Sequence, residues 1–577
     1  MGFDQIAIVA LLAIMLLAFA SERWRVEVVA LAGLAAAFAL GLVPVQQVYA
    51  GFASPAVVTV VEILLIVSVL TRSRLIDDFA RIMADRVSSE RALLLILCGT
   101  GAFVSVFMNN IGALALLFPV AISLTRRINM PPGRVLMALS FATLLGGMCS
   151  LTGTPANLVV NQWMIDETGS GMGYFDLGLV GFPLTIIGVL FLVAATPRVF
   201  ARFASLPETG GDHAAQRIVA QRLIGAGSRL AGMKLAEVET LGPVAVHAVL
   251  RDERHLFAHR DSIVVQAGDS LLIECDEAAL ERLEARGDLT HVSPGPDETA
   301  ADAILMPESL LVGSRVEDLL AMAGDDVRVR TLASRRGRIE GRFTDLQFSM
   351  GDIVGLVGPR EKLQAAAQEC GLLLLSARRN AEQAPPPGLA AGLFALGVLA
   401  TAFGLAPVEI AFGGVVLALV ATGLLDIRKA MGEINWRIVL LLACMIPLGL
   451  AVEQTGAARV IADAIAEALP SDATILVIAA VLTMGIALTP FVDNVSTTII
   501  LSPIAAELSV RTGTPLQPLL IAVAIGASID FLTPFGHHNN AIVMGAGNYR
   551  FGDFARLGAP LTAIAFVIAL VVLSMLV

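Results

Sequence analysis

The sequence predicts a polytopic α-helical membrane protein. Two inverted repeats, each with a re-entrant hairpin and a broken helix, flank an inserted cytoplasmic α/β block. Hydrophobic residues make up 56% of the chain and charged residues 15%, with a mean hydropathy of +0.79, whereas soluble domains carry about 25% charged residues. Apolar runs long enough to cross a hydrocarbon layer of roughly 30 Å recur at both ends. Polar interruptions divide these runs at matched places in the two halves.

The first matched interruption is a polar pair inside a long apolar segment. One copy reads MNNIGALALLFPVA and the other reads VDNVSTTIILSPIA. Their alignment places Asn109-Asn110 opposite Asp493-Asn494, 384 residues further along the chain. Two copies of one polar interruption indicate an internal repeat.

The second matched interruption lies downstream of each polar pair. LTGTPANLVV in the first half aligns with FGHHNNAIVMG in the second half. Gly153 then pairs with Gly536 and Asn157 with Asn540, at an offset of 383 that nearly equals the first. Corresponding interruptions in two hydrophobic halves are typical of the binding site of a secondary transporter.

Loop charges orient the first half, because Lys and Arg mark the cytoplasmic side. Its opening segment contains Asp4 and no Lys or Arg, so we expect a retained helix rather than a cleaved signal peptide. The apolar block 92–125 lies between Arg91 and Arg126. A single span cannot leave both flanks in the cytoplasm, but a re-entrant hairpin with Asn109-Asn110 at its tip does. The predicted elements are helices near 4–20, 26–43 and 55–71, this hairpin, a broken helix at 135–160 and a helix at 178–197.

The second half follows the inverse pattern of loop charges. Arg428 and Arg437 place the loop before its third helix in the cytoplasm, and Glu453 and Asp463 place the next loop outside. The hairpin with Asp493-Asn494 at its tip therefore enters from the outer side, the arrangement expected of alternating-access carriers. The predicted elements are helices at 388–405, 407–425 and 438–452, a hairpin at 472–509, a broken helix at 516–545 and a helix at 558–577.

The middle of the chain is soluble in character and is itself a repeat. IGAGSRLAGMKL near Gly227 matches LVGSRVEDLL near Gly313, and QAGDSLLIE near Gly268 matches SMGDIVGLV near Gly351. Alternating apolar residues around the Gly-Asp turns, as at 262–265, predict strands. The predicted domains are transmembrane halves at 1–200 and 386–577, and two α/β modules with their linkers at 201–302 and 303–385.

The four interruptions have the composition of an ion-binding site. Chain breaks in hydrocarbon are tolerated only where they line a polar cavity or bind something, since an unpaired backbone group there costs several kcal/mol. Half-helix N-termini suit an anion, and carbonyl, Ser, Thr and Asn oxygens suit sodium. Thr154-Pro155 has the composition of an N-cap followed by proline in the first turn. Asp493 is interpreted as a sodium ligand or a proton-linked carboxylate, or else as a group at the outer water boundary or paired with His537 or His538.

Enzyme and nucleic-acid functions find no support in the sequence. The chain contains no P-loop, HExxH motif or catalytic-triad signature, and no GxGxxG occurs in the middle block. The net charge of −11 is acidic, and no basic stripe suited to nucleic acid is present. We therefore expect neither enzymatic activity nor a nucleic-acid partner.

These residues resemble the divalent anion/sodium symporter (DASS) family, which includes sodium–sulfate and sodium–dicarboxylate cotransporters. The similarity covers about 1–200 and 386–577 and is most specific in GGMCSLTGTPANL, from Gly146 to Leu158, and in the two hairpin motifs. The middle block resembles two tandem RCK-C (TrkA C-terminal) domains, which occur inserted in a bacterial and algal branch of that family associated with sulfate. The resemblance implies a homodimer in the bacterial inner membrane, with a scaffold and a moving transport domain in each protomer.

The resemblance also implies site residues. The family's Ser-Asn-Thr tip is replaced by Asn109-Asn110-Ile111 and Asp493-Asn494-Val495, with the central Asn retained. Loss of both threonines, and of the second Pro-Pro-Asn in favour of His538-Asn539-Asn540, favours a smaller oxyanion such as sulfate over a dicarboxylate. The implied sodium residues are Ser105, Asn109, Asn110 and Gly153 at one site and Thr489, Asp493, Asn494 and Gly536 at the other, and the implied substrate residues are Asn109, Asn110, Thr154, Pro155, Asn494 and His537.

We therefore expect a sodium-coupled importer of a divalent oxyanion, with sulfate preferred and sodium ions co-transported. Within transport, the alternatives are a dicarboxylate symporter, or a cation/proton antiporter or arsenite-type permease of the same superfamily in which Asp493 titrates. A ligand-gated channel is a further alternative, against which the broken helices and the lack of a TVGYG-like filter argue. The middle block is expected to be regulatory or dimer-stabilising, with an anionic metabolite drawn to the arginines of 328–338, or else to be a passive insertion.

Overall fold

The structure is a computed structural model of the chain, in which helices dominate both ends and an antiparallel sheet occupies the middle. It describes residues 2–20, 24–72, 89–128, 130–201, 218–374 and 387–577, apart from 226, 241–243, 252–253, 257–261, 291–297, 307–308, 325, 334–341, 350, 435, 471–473 and 535. Arg335, Arg336 and Arg338, part of the predicted metabolite-binding stretch, lie outside the described residues.

The helices of the first half begin and end at residues that favour helix termini. The Ser89 side chain accepts a hydrogen bond from Ala92 N at the start of α4 (3.3 Å), as an N-cap residue does. Pro55 and Pro155 occupy first helical positions, where a missing N–H costs nothing. The described helices are α1 Phe3–Ala20, α2 Val26–Ala39, α3 Pro55–Arg72, α4 Glu90–Phe107, α5 Asn110–Arg127, α6 Leu136–Gly147, α7 Pro155–Thr168 and α8 Gly178–Val199.

The inserted block and the second half supply the remaining helices. Four short helices are described in the middle of the chain: α9 Leu235–Thr240, α10 Glu277–Ala285, α11 Val316–Ala323 and α12 Arg360–Cys370. Ten described helices form the second half: α13 Pro387–Ala402, α14 Val408–Ala421, α15 Ile427–Glu433, α16 Trp436–Gln454, α17 Ala457–Ala468, α18 Thr474–Leu488, α19 Asn494–Thr512, α20 Leu516–Ser528, α21 His538–Ala546 and α22 Phe551–Ser574.

The segment predicted to be an outer loop after α16 contains a helix instead. The acidic segment after α16 forms the amphipathic helix α17, which packs against α19. Its alanine-rich sequence has high helix propensity, and Ala458 and Ala462 are buried on its packed face. Asp463 on this helix pairs with Arg511 (3.0 Å), so a charge that suggested a loop instead stabilises a helix contact.

The four interruptions are real breaks between helices. The first tip, residues 108–109, separates α4 from α5, and the second tip, residues 489–493, separates α18 from α19. The first break, residues 148–154, separates α6 from α7, and the second break, residues 529–537, separates α20 from α21. Re-entry of the two hairpins from opposite sides of a membrane stays a prediction.

Several described helices are suited to a bilayer. By length and composition, four of them are long and apolar enough to cross a membrane, and nine shorter helices are also apolar. The four are Glu90–Phe107, Gly178–Val199, Trp436–Gln454 and Phe551–Ser574. A chain with this many apolar helices at both ends fits the predicted polytopic membrane protein.

Each hairpin packs on the broken helix of its own half through glycines. A Cβ at Gly146 would lie 2.1 Å from the Ala102 carbonyl oxygen, where α6 crosses α4. A Cβ at Gly485 would lie 2.8 Å from the Gly526 backbone, where α18 crosses α20. The half-helix that follows each break packs on helices of the other half. α7 packs on α19 and α20, and α21 packs on α5 and α6. Residues from the two halves therefore meet at the breaks.

The middle of the chain folds into one eight-stranded sheet, which with α9–α12 forms the α/β block (218–374). Two predicted modules share this sheet because β1 pairs with β6, where Val219 lies opposite Leu332. The strand order is β3-β2-β4-β1-β6-β7-β5-β8. The described strands are β1 Ile218–Leu223, β2 Ala245–Arg251, β3 Arg254–His255, β4 Ser270–Cys275, β5 Glu298–Leu305, β6 Arg328–Ala333, β7 Ile353–Pro359 and β8 Leu372–Leu374.

The structure corrects the alignment of the two copies in this block. Gly313 corresponds to Gly232 rather than to Gly227, because both have positive φ (+86° and +91°) and both precede a helix by the same spacing. The shared Gly-Ser-Arg letters were misleading, since a positive φ requires glycine while the flanking Ser and Arg are exchangeable. The predicted strand at 262–265 is also reduced to a single bridge between Lys234 and Val264.

The α/β block rests directly on the short helix α21 of the second half. A Cβ at Gly545 would lie 2.3 Å from the Gly351 carbonyl oxygen, so two backbones meet at a pair of glycines. Ile304 and Met306 of the block are buried in the same apolar cluster as the helices of the two halves. The Gly-Asp turn of the second copy therefore contacts a half-helix that starts at the second break.

Candidate functional site

The first tip folds into the first break through Asn110. With its nitrogen facing these acceptors, the Asn110 amide donates to Ser105 Oγ (2.8 Å), Thr143 O (3.1 Å) and Gly153 O (3.3 Å). A Cβ at Gly147 would lie 2.0 Å from the Asn110 amide, so only glycine leaves room for it. The structure thus brings together three of the predicted sodium residues, Ser105, Asn110 and Gly153, all of them buried.

Asn109 and Asp493 have the same structural role in the two tips. The Asn109 side chain accepts from Ile111 N (3.1 Å), and the Asp493 side chain accepts from Val495 N and Ser496 N (both 3.0 Å). Both residues cap the helix that follows, α5 or α19. Asp493 also accepts from Ser496 Oγ (2.7 Å), so its partners belong to its own helix rather than being His537 or His538.

The two breaks are held by equivalent asparagines. Asn157 Nδ2 donates to the carbonyls of Gly147 (2.9 Å) and Ser150 (2.7 Å). In the second half, Asn540 Nδ2 donates to the carbonyls of Asp530 (2.8 Å) and Thr533 (3.1 Å), 383 residues later in every case. These amides satisfy carbonyls released where a helix stops. The repeat detected in the sequence therefore extends to individual hydrogen bonds.

Asn539 joins the two halves at the centre of the site. Its Nδ2 donates to the Asn110 carbonyl oxygen and to Thr143 Oγ1, both at 2.9 Å. Asn539 is fully buried, and its Oδ1 has no hydrogen-bond partner within the described part of the chain. Sequence reasoning missed Asn539 and Thr143 as site residues, because their partners lie in a distant part of the chain.

The predicted substrate residues lie at the starts of α7 and α21. Thr154 precedes Pro155 at the N-terminus of α7, and within the described chain its side chain makes no capping hydrogen bond, although its carbonyl accepts from Asn157 N (3.1 Å). His537 Nδ1 accepts from Asn539 N (3.1 Å) at the start of α21. A neutral imidazole that accepts at Nδ1 carries its proton on Nε2, which remains a donor.

The remaining predicted residues surround the second break. Thr489 Oγ1 donates to the Ala527 carbonyl oxygen near the end of α20 (2.7 Å). Asn494 is the first residue of α19 and is buried. Gly536 is partly exposed, and a Cβ there would lie 2.2 Å from one carboxylate oxygen of Asp530. Sequence reasoning missed Asp530, although it aligns with Gly147 at the same offset of 383.

Comparisons with known proteins identify the class of molecule. The citrate transporter (CitMHS) family matches residues 16–510 and 482–577. An uncharacterized transporter of Synechocystis is 28% identical over 560 residues, covering 91% of this chain and 89% of that protein. The uncharacterized transporter YfbS of Escherichia coli is 27% identical over 609 residues, covering all of both chains.

A third relative carries a more specific name. Sodium/sulfate cotransporter 2 of Chlamydomonas reinhardtii is 22% identical over 352 residues, covering 54% of this chain and 38% of that protein. The family match spans both helical halves, and these relatives are named as transporters rather than enzymes. The chain therefore belongs to the citrate transporter (CitMHS) family, which is related to the divalent anion symporters, and it is a multi-pass membrane transporter.

Proposed function

We propose that this chain is a sodium-coupled importer of a divalent oxyanion, with sulfate as the preferred substrate, and that it works by alternating access. The observation that carries the proposal is the pair of matched breaks, in which each half-helix packs on the hairpin of the other half. The names of the sodium/sulfate cotransporters among its relatives support the choice of ion and substrate.

The proposed anion site lies where α7 and α21 begin. The N-terminus of α7, where Thr154 makes no side-chain capping bond within the described chain, carries the positive end of a helix dipole. In our proposal, Asn109, Asn110, Thr154, Pro155, Asn494 and His537 surround the substrate. The tips and breaks contain no Lys or Arg, so a dianion there depends on neutral donors and on bound cations.

The proposed sodium ions lie beside the anion, one in each half. The first site consists of Ser105, Asn110 and Gly153, with Asn109 ordering its tip. The second consists of Thr489, Asn494 and Gly536, with Asp493 ordering its tip through the cap of α19. Side-chain and carbonyl oxygens at half-helix ends are the ligands that sodium takes in transporters of this architecture.

Energetics favours coupling to cations. Moving one charge across 100 mV costs about 2.3 kcal/mol, so importing a dianion against an inside-negative potential costs about 4.6 kcal/mol. Two sodium ions cancel this electrical cost. A third would make the transport cycle electrogenic.

Uptake into proteoliposomes tests the proposal. We expect radiolabelled sulfate to accumulate when sodium is high outside, and to equilibrate without accumulation when sodium is equal on both sides. Uptake that is independent of both the sodium and the proton gradient would reject cation-coupled transport. A lack of any sulfate uptake by protein that does transport another anion would reject the substrate.

A polycarboxylate is the second candidate substrate, because the matching family is described as citrate transporters. The same vesicles distinguish the two candidates by competition. Sulfate and its isosteres at millimolar concentration should inhibit labelled sulfate uptake, whereas citrate and succinate should not. The reverse pattern would assign the chain to carboxylates.

We also propose that the α/β block is cytoplasmic, that it modulates transport, and that the transporter is a homodimer. The contact of Gly351 with Gly545 supports modulation, because it links the block to α21. Replacing residues 205–385 with a flexible linker should change the sodium-driven uptake rate. An unchanged uptake rate would show that the block is a passive insertion. The homodimer is tested separately, by crosslinking purified protein in nanodiscs.

A further inference from the structure

Asp530 lies in the second break, between the end of α20 and the start of α21. We infer that its carboxylate is a direct ligand of the cation at this break, so that the second cation site carries a negative charge that the first site lacks. The inference rests on the proposed function, since it assigns a further ligand to one of the two proposed sodium sites.

The carboxylate of Asp530 is buried without a partner. The residue is 0% exposed. Neither carboxylate oxygen has a hydrogen-bond partner among the described residues, and no Lys or Arg of this part of the chain pairs with it. An unpaired Asp at the centre of a membrane costs about 2.5–3.5 kcal/mol on insertion scales, and such residues usually have a functional partner. A bound cation supplies the missing partner.

The residues next to Asp530 in the chain carry several oxygen atoms. The carbonyls of Asp530 and Thr533 are turned toward Asn540 Nδ2, and the Ala527 carbonyl accepts from Thr489 Oγ1. Ser528 Oγ is also buried without a hydrogen-bond partner in the described chain. Oxygen atoms from one carboxylate, a hydroxyl and neighbouring carbonyls are the ligands that hard cations take.

The backbone of the second break leaves space for this carboxylate beside Gly536. Cβ at Gly536 would lie 2.2 and 2.3 Å from the two Asp530 oxygens, so glycine at 536 lets the carboxylate lie against the backbone. Gly536 is partly exposed and His538 is exposed, while Asp530 itself is buried. Gly536 therefore lies between the buried carboxylate and the more exposed part of the break.

The first half lacks this charge. Gly147 aligns with Asp530, and the space beside Gly147 is filled by the neutral amide of Asn110. The cation proposed at the first break thus has only uncharged groups around it among the described residues. We therefore assign the higher sodium affinity to the second site, because a carboxylate attracts a cation more strongly than an amide does.

Binding of radiolabelled sodium to the purified full-length protein in detergent tests the inference. Asp530→Asn removes the charge and keeps the size of the side chain. We expect it to weaken sodium binding at least about tenfold, or about 1.4 kcal/mol. Glu62→Gln is the matched control, because Glu62 is a half-buried carboxyl on α3, beside Gly413 and outside the breaks. It should leave the sodium affinity unchanged.

Gly536→Ala is the second variant, to be used if Asp530→Asn elutes as aggregate. Its methyl group displaces the carboxylate without removing charge, so it should also weaken sodium binding, whereas Gly552→Ala, which meets open space, should not. Wild-type sodium affinity in Asp530→Asn, or in Gly536→Ala where Asp530→Asn aggregates, overturns the inference.

Sulfate uptake on the same preparations separates the two proposals. Sodium-driven uptake by the wild type, combined with unchanged sodium affinity in Asp530→Asn, would remove only the role of Asp530. A wild-type protein that binds no sodium would remove both the role of Asp530 and the coupling.

Discussion

The first break and the second break are held in the same way but filled differently. In both, an asparagine donates to two backbone carbonyls that lie at the end of the preceding helix or within five residues after it. Beside the first break, Gly147 leaves space for the neutral amide of Asn110. At the aligned position of the second break, Asp530 places a buried carboxylate. The hydrogen-bonded arrangement of the internal repeat is thus kept while its two breaks differ in charge.

The two breaks also differ in what lies behind them. The half-helix α21 contacts the α/β block through Gly545 and Gly351. Asn539, at the start of the same half-helix, binds the backbone of Asn110 in the first tip. The block therefore contacts the half-helix of the second break, and the same half-helix contacts the first tip.

Among the variants that test this difference between the breaks, Gly147→Ala should have the largest effect on transport. The methyl group would lie 2.0 Å from the Asn110 amide and push it away from Gly153. We expect sodium-driven sulfate uptake to fall about 100-fold, the cost of displacing a positioned group by about 1 Å. Gly414→Ala on α14 meets open space and is the control, which should transport normally. Normal uptake by Gly147→Ala would show that Asn110 has no positional role.

Asn540→Ala and Asn157→Ala compare the asparagine hydrogen bonds that hold the two breaks. Asn540 loses a third hydrogen bond, because it also accepts from Ser140 Oγ (2.8 Å). At about 1 kcal/mol per hydrogen bond, we expect destabilisation of about 3 kcal/mol for Asn540→Ala and about 2 kcal/mol for Asn157→Ala. Thermal melting in detergent measures both, with the exposed Thr483→Ala as a control. Equal melting temperatures for the two variants would contradict the difference.

Gly545→Ala tests whether the α/β block acts on the second break. The added methyl group would lie 2.3 Å from the Gly351 carbonyl and force α21 and the block apart. We expect the uptake rate to change about fivefold, which corresponds to a coupling energy of about 1 kcal/mol between two sites. Gly552→Ala is the control, since its methyl group meets open space. An unaltered rate in Gly545→Ala would separate the block from transport.

Asp493→Asn should have the smallest effect. Asn caps helices about as well as Asp, so α19 should keep its cap and the free energy of unfolding should change by a few tenths of a kcal/mol. Asp493→Ala removes the cap and should cost about 1 kcal/mol. Melting curves measure both, and uptake assays on the same variants test titration. Loss of transport in a stable Asp493→Asn protein would instead support a proton-linked carboxylate.

Much of the architecture could be predicted from local sequence. Apolar runs define the helices of both halves, because burying or embedding such runs is favourable wherever they lie. The polar pairs at Asn109 and Asp493 and the breaks at Gly153 and Gly536 interrupt those runs where the structure has its tips and breaks. The acidic segment that forms α17 was misread, since charge alone does not distinguish a loop from an amphipathic helix.

Tertiary structure alone decided which groups meet. Asn539 binds Asn110 across 429 positions of sequence, and β1 joins β6 to merge two copies into one sheet. Such contacts depend on how helices and strands pack, which no short window of sequence contains. The alignment of Asp530 with Gly147 is visible in the sequence, but the different surroundings of the two residues are not. Only the fold shows that Gly147 lies against a neutral amide, while Asp530 buries a carboxylate that has no partner among the described residues.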